Sequence, residues 1–177
     1  MKKHNILRST AGACLVALVL LPSATVQSRS ASADGSTRHN PVLEWNLIFI
    51  DTLIVTNTPN SSSQRLGAIV HTAIFGAYNG IERRYRPISV PPGAADGASR
   101  RAAVIAAAYT VLAGLFPTRQ QALFDSYTAS LATLGDHGQG ADQSRERGFA
   151  WGTLVAQAVL AWRANDGFSA SYPAFTG

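Results

Sequence analysis

Apolar residues recur three and four positions apart in five separate stretches of this chain, and no stretch alternates apolar with polar residues between hairpin turns. A three–four spacing gathers side chains on one face of an α-helix, whereas a half-buried strand needs strict alternation. The pattern predicts an all-α fold of about five helices, in a bundle or an orthogonal array.

The boundaries of each helix follow from local chemistry. Asn40-Pro41 offers a side-chain cap and a fixed φ at a helix start. The helix behind it carries Leu43, Leu47, Ile50 and Ile54 as its stripe, widened by Trp45, Phe49 and Leu53, and ends near Thr56. A second helix spans about Ser63 to Arg84, with Leu66, Val70, Ala73, Ala77 and Ile81 inward. Gly76 and Gly80 each cost about 1 kcal/mol in helix propensity, so a close approach by another backbone is expected there. The segment Arg86 to Ser99 has three prolines and two glycines and is expected to be irregular. A third, alanine-rich helix runs from Arg100 to Phe116 and stops at Pro117, with Val104, Ala108, Val111, Leu112 and Leu115 as its contact face. Thr118-Arg119-Gln120-Gln121 has the form of a capping box for a fourth helix through Leu123, Phe124, Tyr127, Leu131 and Leu134. The loop Gly135 to Gly140 leads to a fifth helix, about Asp142 to Asn165, with Phe149, Val155, Val159 and Trp162 inward and Gly167 as a stop.

The first 33 residues read differently. Lys2, Lys3 and Arg8 precede the apolar run Ala11 to Leu21, and Ala31-Ser32-Ala33 stands before Asp34. Charged start, short apolar core and Ala-x-Ala site are the parts of a secretory signal peptide. Eleven apolar residues fall well short of the ~20 that span a bilayer as a helix. Cys14 has Ala11, not leucine, three positions before it, which argues against lipoprotein processing. The expectation is a signal peptide at 1–33, a helical domain at 34–177, and export to the periplasm or beyond, with no membrane association once the signal is removed.

Charge then narrows the function. The chain has 15 Lys+Arg against 10 Asp+Glu, a net charge of +5. Four of the cations (Lys2, Lys3, Arg8 and Arg29) lie before Asp34 with no acid among them, leaving eleven cations against ten acids. The basicity belongs to targeting, and a nucleic-acid partner loses its electrostatic basis. Past Asp34 there is no cysteine and no lysine. Thiolate catalysis, thiolate metal ligation, Schiff-base chemistry and a phosphate-gripping lysine are all excluded there.

With the helices placed, the sequence resembles the N-terminal helical half of bacterial vanadium-dependent haloperoxidases, relatives of type-2 phosphatidic acid phosphatases. The resemblance rests on Val42–Asn46 (VLEWN), Val70–Glu82 (VHTAIFGAYNGIE), Tyr109–Pro117 (YTVLAGLFP) and Arg147–Gly167, taken in that order and spacing. It implies a helical bundle whose vanadate or phosphate site is built by later helices. Those relatives oxidise halide with peroxide at bound vanadate, or hydrolyse phosphoesters by attack of a histidine. Their site implies Lys-x6-Arg-Pro, Pro-Ser-Gly-His and Ser-Arg-x5-His-x3-Asp, which surround an oxyanion with cationic donors.

All three motifs fail here. Seven positions before the Arg86-Pro87 pair stands Asn79, not lysine. No Ser-Gly-His occurs. Six positions after Arg29, Arg100 and Arg145, each preceded by serine, come Gly35, Ala106 and Trp151. The resemblance therefore implies supporting helices without the site: no catalytic, cofactor-binding or metal-binding residue in this chain, vanadate only in full-length relatives, and a missing C-terminal helical half as partner. The apolar end Phe168 to Gly177, with Phe168, Tyr172 and Phe175, is expected to belong to a longer protein, and an oligomer is compatible with the sequence. The alternative is a stand-alone secreted helical binding module.

Individual residues fit that reading. His71 has no second histidine four positions on, as a zinc-binding helix requires, and shares a helical side with Phe75, Tyr78 and Tyr85. It is expected to be a packed, hydrogen-bonded imidazole; a metal-dependent hydrolase using His71 with nearby carboxylates is the competing assignment. His39 and His137 fall in polar loops. Glu44 and Asp51, seven apart, lie ~10 Å from each other along a helix, too far for an acid–base pair, so solvated or capping roles are expected for them and for Asp125, Glu146 and Asp166. Arg83, Arg84, Arg86, Arg100 and Arg101 bracket the proline-rich segment and are expected as surface charge, with an anion patch as the alternative; Arg100 and Arg101 stand at a helix start where the dipole disfavours cations. Trp45, Trp151 and Trp162 are expected in helix contacts.

Overall fold

Helix α1, Pro41–Val55, begins where Asn40 Oδ1 accepts the Val42 amide at 3.0 Å, and ends at Thr56. The remaining helices are α2, Asn60–Glu82; α3, Arg100–Leu115; α4, Gln120–Ala132; and α5, Ala141–Arg163. A 3-10 turn, Pro117–Arg119, joins α3 to α4. The computed structural model describes residues 40–94, 96–135, 140–168, 170 and 173, and among them the fold is all-α, five helices with no strand. They all belong to one compact unit, Ser32–Gly177. Residues 1–33, with the expected signal peptide, lie outside the described residues.

Helix α3 is the centre of the fold and touches each of the other four. Its sequence allows this because alanines and β-branched residues occupy nearly its whole circumference. Every residue from Ala102 to Ala108 is buried, as are Val111 and Leu112. Enclosing Ile105, Leu112 and Val111 contributes roughly 1.5–3 kcal/mol for each side chain. Ser99 starts the helix by accepting the Ala102 amide at 3.3 Å. Pro117, which has no amide to donate, ends it, and the chain bends by 116° into α4. The expected capping box does not form. Residues 117–119 wind into the 3-10 turn, so α4 starts at Gln120 with no side-chain cap.

Helix α5 lies on α3 and α2. A Cβ on Gly152 would overlap the Ala103 carbonyl, and one on Gly148 would overlap the Ser99 carbonyl. Glycines four apart thus bring α5 onto the α3 backbone. Gly76 and Gly80 of α2 serve a related purpose with a different neighbour. The expected backbone is not there; the space is filled by side chains of α5, Val155 Cγ1 at 2.9 Å from a Cβ on Gly76 and the Trp151 indole against Gly80. Trp151 Nε1 donates to the Ala77 carbonyl at 3.0 Å, satisfying the buried indole.

Helix α1 turns a different face inward from the one its stripe suggests. Trp45, Phe49 and Thr52 are buried, while Leu43, Leu47, Ile50 and Ile54 are exposed, Leu47 by 67% and Ile54 by 72%. Both sides of this helix are apolar, so spacing alone does not select the inner one. Bulk does: Trp45 packs edge-on against Tyr109 with ring centroids 6.5 Å apart, and Phe49 lies against Gly67. Trp162 also departs from expectation. It is 53% exposed, with the Arg163 guanidinium 5.1 Å from its ring.

Candidate functional site

His71 projects from the outer side of α2 and is exposed, which corrects the packed position expected for it. Its Nε2 lies 3.1 Å from Asn46 Oδ1 on α1, so the hydrogen bond is present and the enclosure is not. The partner is an amide, which leaves the metal-hydrolase assignment without a neighbouring carboxylate at this nitrogen. Phe75 packs against Tyr85, centroids 6.3 Å apart, on the same side of α2. His39 and His137 lie outside the described residues.

The carboxylates are mostly structural. Glu44 is half-buried and accepts the Ser130 hydroxyl at 2.6 Å, joining α1 to α4; this replaces the solvated or capping role expected of it. Asp51 is exposed. Asp125 accepts the Gln121 side-chain amide at 2.9 Å within one turn of α4, and Glu146 is exposed. Asp166 differs most from expectation. It lies between Arg65 at 2.8 Å and Arg163 at 2.7 Å, and its side chain is 11% exposed. Burial pushes its carboxyl upward, but the Phe168 amide and the two guanidiniums outweigh that effect and hold it below the ordinary carboxylate range. Arg65 also stacks on Phe168, its guanidinium carbon 4.3 Å from the ring centre.

The arginines around the irregular segment separate into distinct roles. Arg83 caps α2 in a left-handed conformation, φ 55°, and donates to the Ala94 carbonyl at 3.4 Å. Arg84 lies over Tyr85, and Arg86 is exposed. Asn79 holds the turn that follows α2. Its buried amide donates to the Tyr85 carbonyl and accepts the Tyr85 amide, both at 2.8 Å. Arg100 pairs with Glu82, whose hydrogen bond and charge hold the guanidinium protonated to higher pH than usual. Arg101 is half-buried at the start of α3.

A third feature is the aromatic cluster between α3, α4 and α5. Tyr109 stacks on Tyr127 at 4.4 Å, and Phe124 and Phe149 pack edge-on around them. Burial, then the neighbouring Tyr109, pushes the Tyr127 phenol above its ordinary value. The two stacked rings act as packing surface.

A vanadate or phosphate centre needs several cationic donors and an axial imidazole on one concavity. Arg100 and Arg101 border a cleft that His71 does not line, and His71 is engaged with Asn46. The described residues do not fit such a centre. Among the described residues, no three His, Cys, Asp or Glu side chains stand close enough to share a metal ion. No single described helix is long and apolar enough to cross a membrane.

Comparison with family models, with curated proteins and with solved structures finds no match. The functional reading therefore rests on the chain's own residues. Three of the contacts above have little sequence signal: Glu44 with Ser130, Arg65 with Asp166, and the Asn79 bracket. The first two join residues 86 and 101 positions apart.

Proposed function

We propose that this chain is the exported helical scaffold of a haloperoxidase-like protein of the vanadate- and phosphate-site superfamily, and that the oxyanion centre belongs to a further helical part that packs on this scaffold. The observation that carries the reading is the outer face of α1. Leu43, Leu47, Ile50 and Ile54 follow a four–three–four spacing, all exposed, directly opposite the buried Trp45, Phe49 and Thr52. A helix apolar on both sides belongs between two layers, and this spacing is the seam that a partner helix fits. The order of the sequence blocks from Val42 to Gly167 supports the same family, and the three failed motifs support a scaffold without its own centre.

In this reading the chain carries no catalytic, cofactor or metal residue. Full-length relatives oxidise halide with peroxide at vanadate or hydrolyse phosphoesters; this chain alone does neither. The test is direct assay of the purified chain for halide oxidation with vanadate and peroxide, and for phosphomonoester hydrolysis. No turnover is expected in either, and robust turnover overturns the reading. Coding DNA past the Gly177 codon that specifies the three motifs would support it further.

A second reading, a stand-alone secreted binding module, draws on the enclosed core around Trp45, Ile105 and Leu112. A monomer that melts cooperatively and does not bind an apolar dye favours the module. A dye-binding, self-associating chain favours the scaffold.

A further inference from the structure

The starts of α1 and α3 open onto one cleft of about 640 Å³. Its walls combine Pro41, Val42 and Val104 with Tyr78, Arg100 and Arg101. Such a volume lies within the range of small-molecule sites, which are mostly apolar with a few polar groups.

The charge in this cleft is what calls for a ligand. Two guanidiniums stand at the positive end of α3, where a cation is unfavourable. Arg100 is offset by Glu82. Arg101 forms no ion pair with a carboxylate among the described residues; its Nη2 meets the Thr133 carbonyl only at 3.5 Å, and its Nε is buried without a hydrogen-bond partner. A buried donor left unpaired is costly and is normally matched by an acceptor. The side-chain caps satisfy only one amide of each helix, Val42 by Asn40 and Ala102 by Ser99. The first amides of α3, at Arg100 and Arg101, then have no intrahelical acceptor.

We propose that this cleft binds a small organic oxyanion, a carboxylate or phosphate monoester on an aromatic or short alkyl body. Arg101 supplies the net charge and a planar fork suited to two oxygens. Tyr78 and the free amides supply further donors, and Val42 and Val104 face the body of the ligand. The site is for binding alone, since no imidazole or carboxylate nucleophile lines it among the described residues. It is independent of the scaffold reading, because it uses no residue of the outer α1 stripe.

Calorimetric titration of the full chain with phenyl phosphate, benzoate, inorganic phosphate and benzyl alcohol tests the proposal. Phenyl phosphate or benzoate should bind at least tenfold more tightly than benzyl alcohol, and the stronger of the two identifies the headgroup. Inorganic phosphate should bind more weakly than phenyl phosphate, for want of the apolar body. Arg101→Met keeps the packed stem and should weaken anion binding at least tenfold, while Arg86→Met should leave it unchanged. If Arg101→Met fails to fold, amide shifts on titrating the wild-type chain decide: they should concentrate at Arg100 and Arg101. Equal affinity for benzyl alcohol, no binding of either organic anion, an Arg101→Met effect no larger than that of Arg86→Met, or shifts located elsewhere would each overturn the proposal.

Discussion

Replacing Gly152 with alanine separates two effects of opposite sign. Helix propensity alone favours the change by about 1 kcal/mol. The structure opposes it, because the added methyl would occupy the position of the Ala103 carbonyl, with Ala103 C and Cα within 3.0 Å as well. A backbone carbonyl inside a buried helix has no rotamer to change, so α3 and α5 must move apart. Overpacking of this kind costs typically about 1–3 kcal/mol and sometimes more. The upper part of that range applies here, since separating the two helices also loosens Val155, Ala156 and Val159, all fully buried. The net expectation is about 2 kcal/mol of destabilisation, or a melting temperature roughly 8 °C lower for a domain of this size. Gly114→Ala is the internal control. Its methyl meets Leu160 Cδ1 at 2.8 Å, the tip of a flexible side chain, so propensity should prevail and the melting point should hold or rise by about 4 °C. Far-ultraviolet circular dichroism during heating measures both. A Gly152→Ala protein that melts at or above wild type would refute the close α3–α5 contact.

Three further outcomes follow from other contacts. Leu47→Glu, on the exposed stripe, should change stability by no more than about 0.5 kcal/mol while lowering dye binding and self-association; a large loss of stability would mean that Leu47 is enclosed. Ser130→Ala removes the hydroxyl donated to Glu44 and should cost about 1–3 kcal/mol in urea unfolding, whereas an unchanged midpoint would show that the bond contributes nothing. Asp166 should give an acid-sensitive share of stability. Its folded carboxyl is held below the ordinary value, so the share is complete at neutral pH and is lost as pH falls through the lowered value. Asp166→Asn should therefore lower the melting temperature at pH 7, and the gap from wild type should close in acid; a constant gap would rule out the linkage.

Helix positions were legible because their signals are local. Asn40 and Pro41 mark the start of α1, Pro117 the end of α3, and the inward residues Val70, Ala73 and Ala77 of α2 lie where spacing puts them. The inner face of α1 was not legible, because a helix apolar on both sides leaves the choice to the shape of its neighbours. His71 shares that difficulty: its exposure follows from what does not cover α1 and α2 on that side. Gly148 and Gly152 carried a readable signal in their spacing of four, like Gly76 and Gly80, but which pair meets backbone depends on the alanines opposite. The cleft at Arg100 and Arg101 was half-visible. Two cations at a helix start were anomalous in the sequence, while the convergence of the α1 start and Tyr78 on them is a property of the fold.

The seven consecutive buried residues from Ala102 to Ala108 have a consequence for how the protein opens. Amide hydrogens along this segment reach solvent only when the surrounding helices come away, so local fraying has little route to them. Their exchange with deuterium should be the slowest in the chain and should follow the free energy of whole-domain unfolding, which makes α3 the internal gauge against which a ligand or partner helix is weighed.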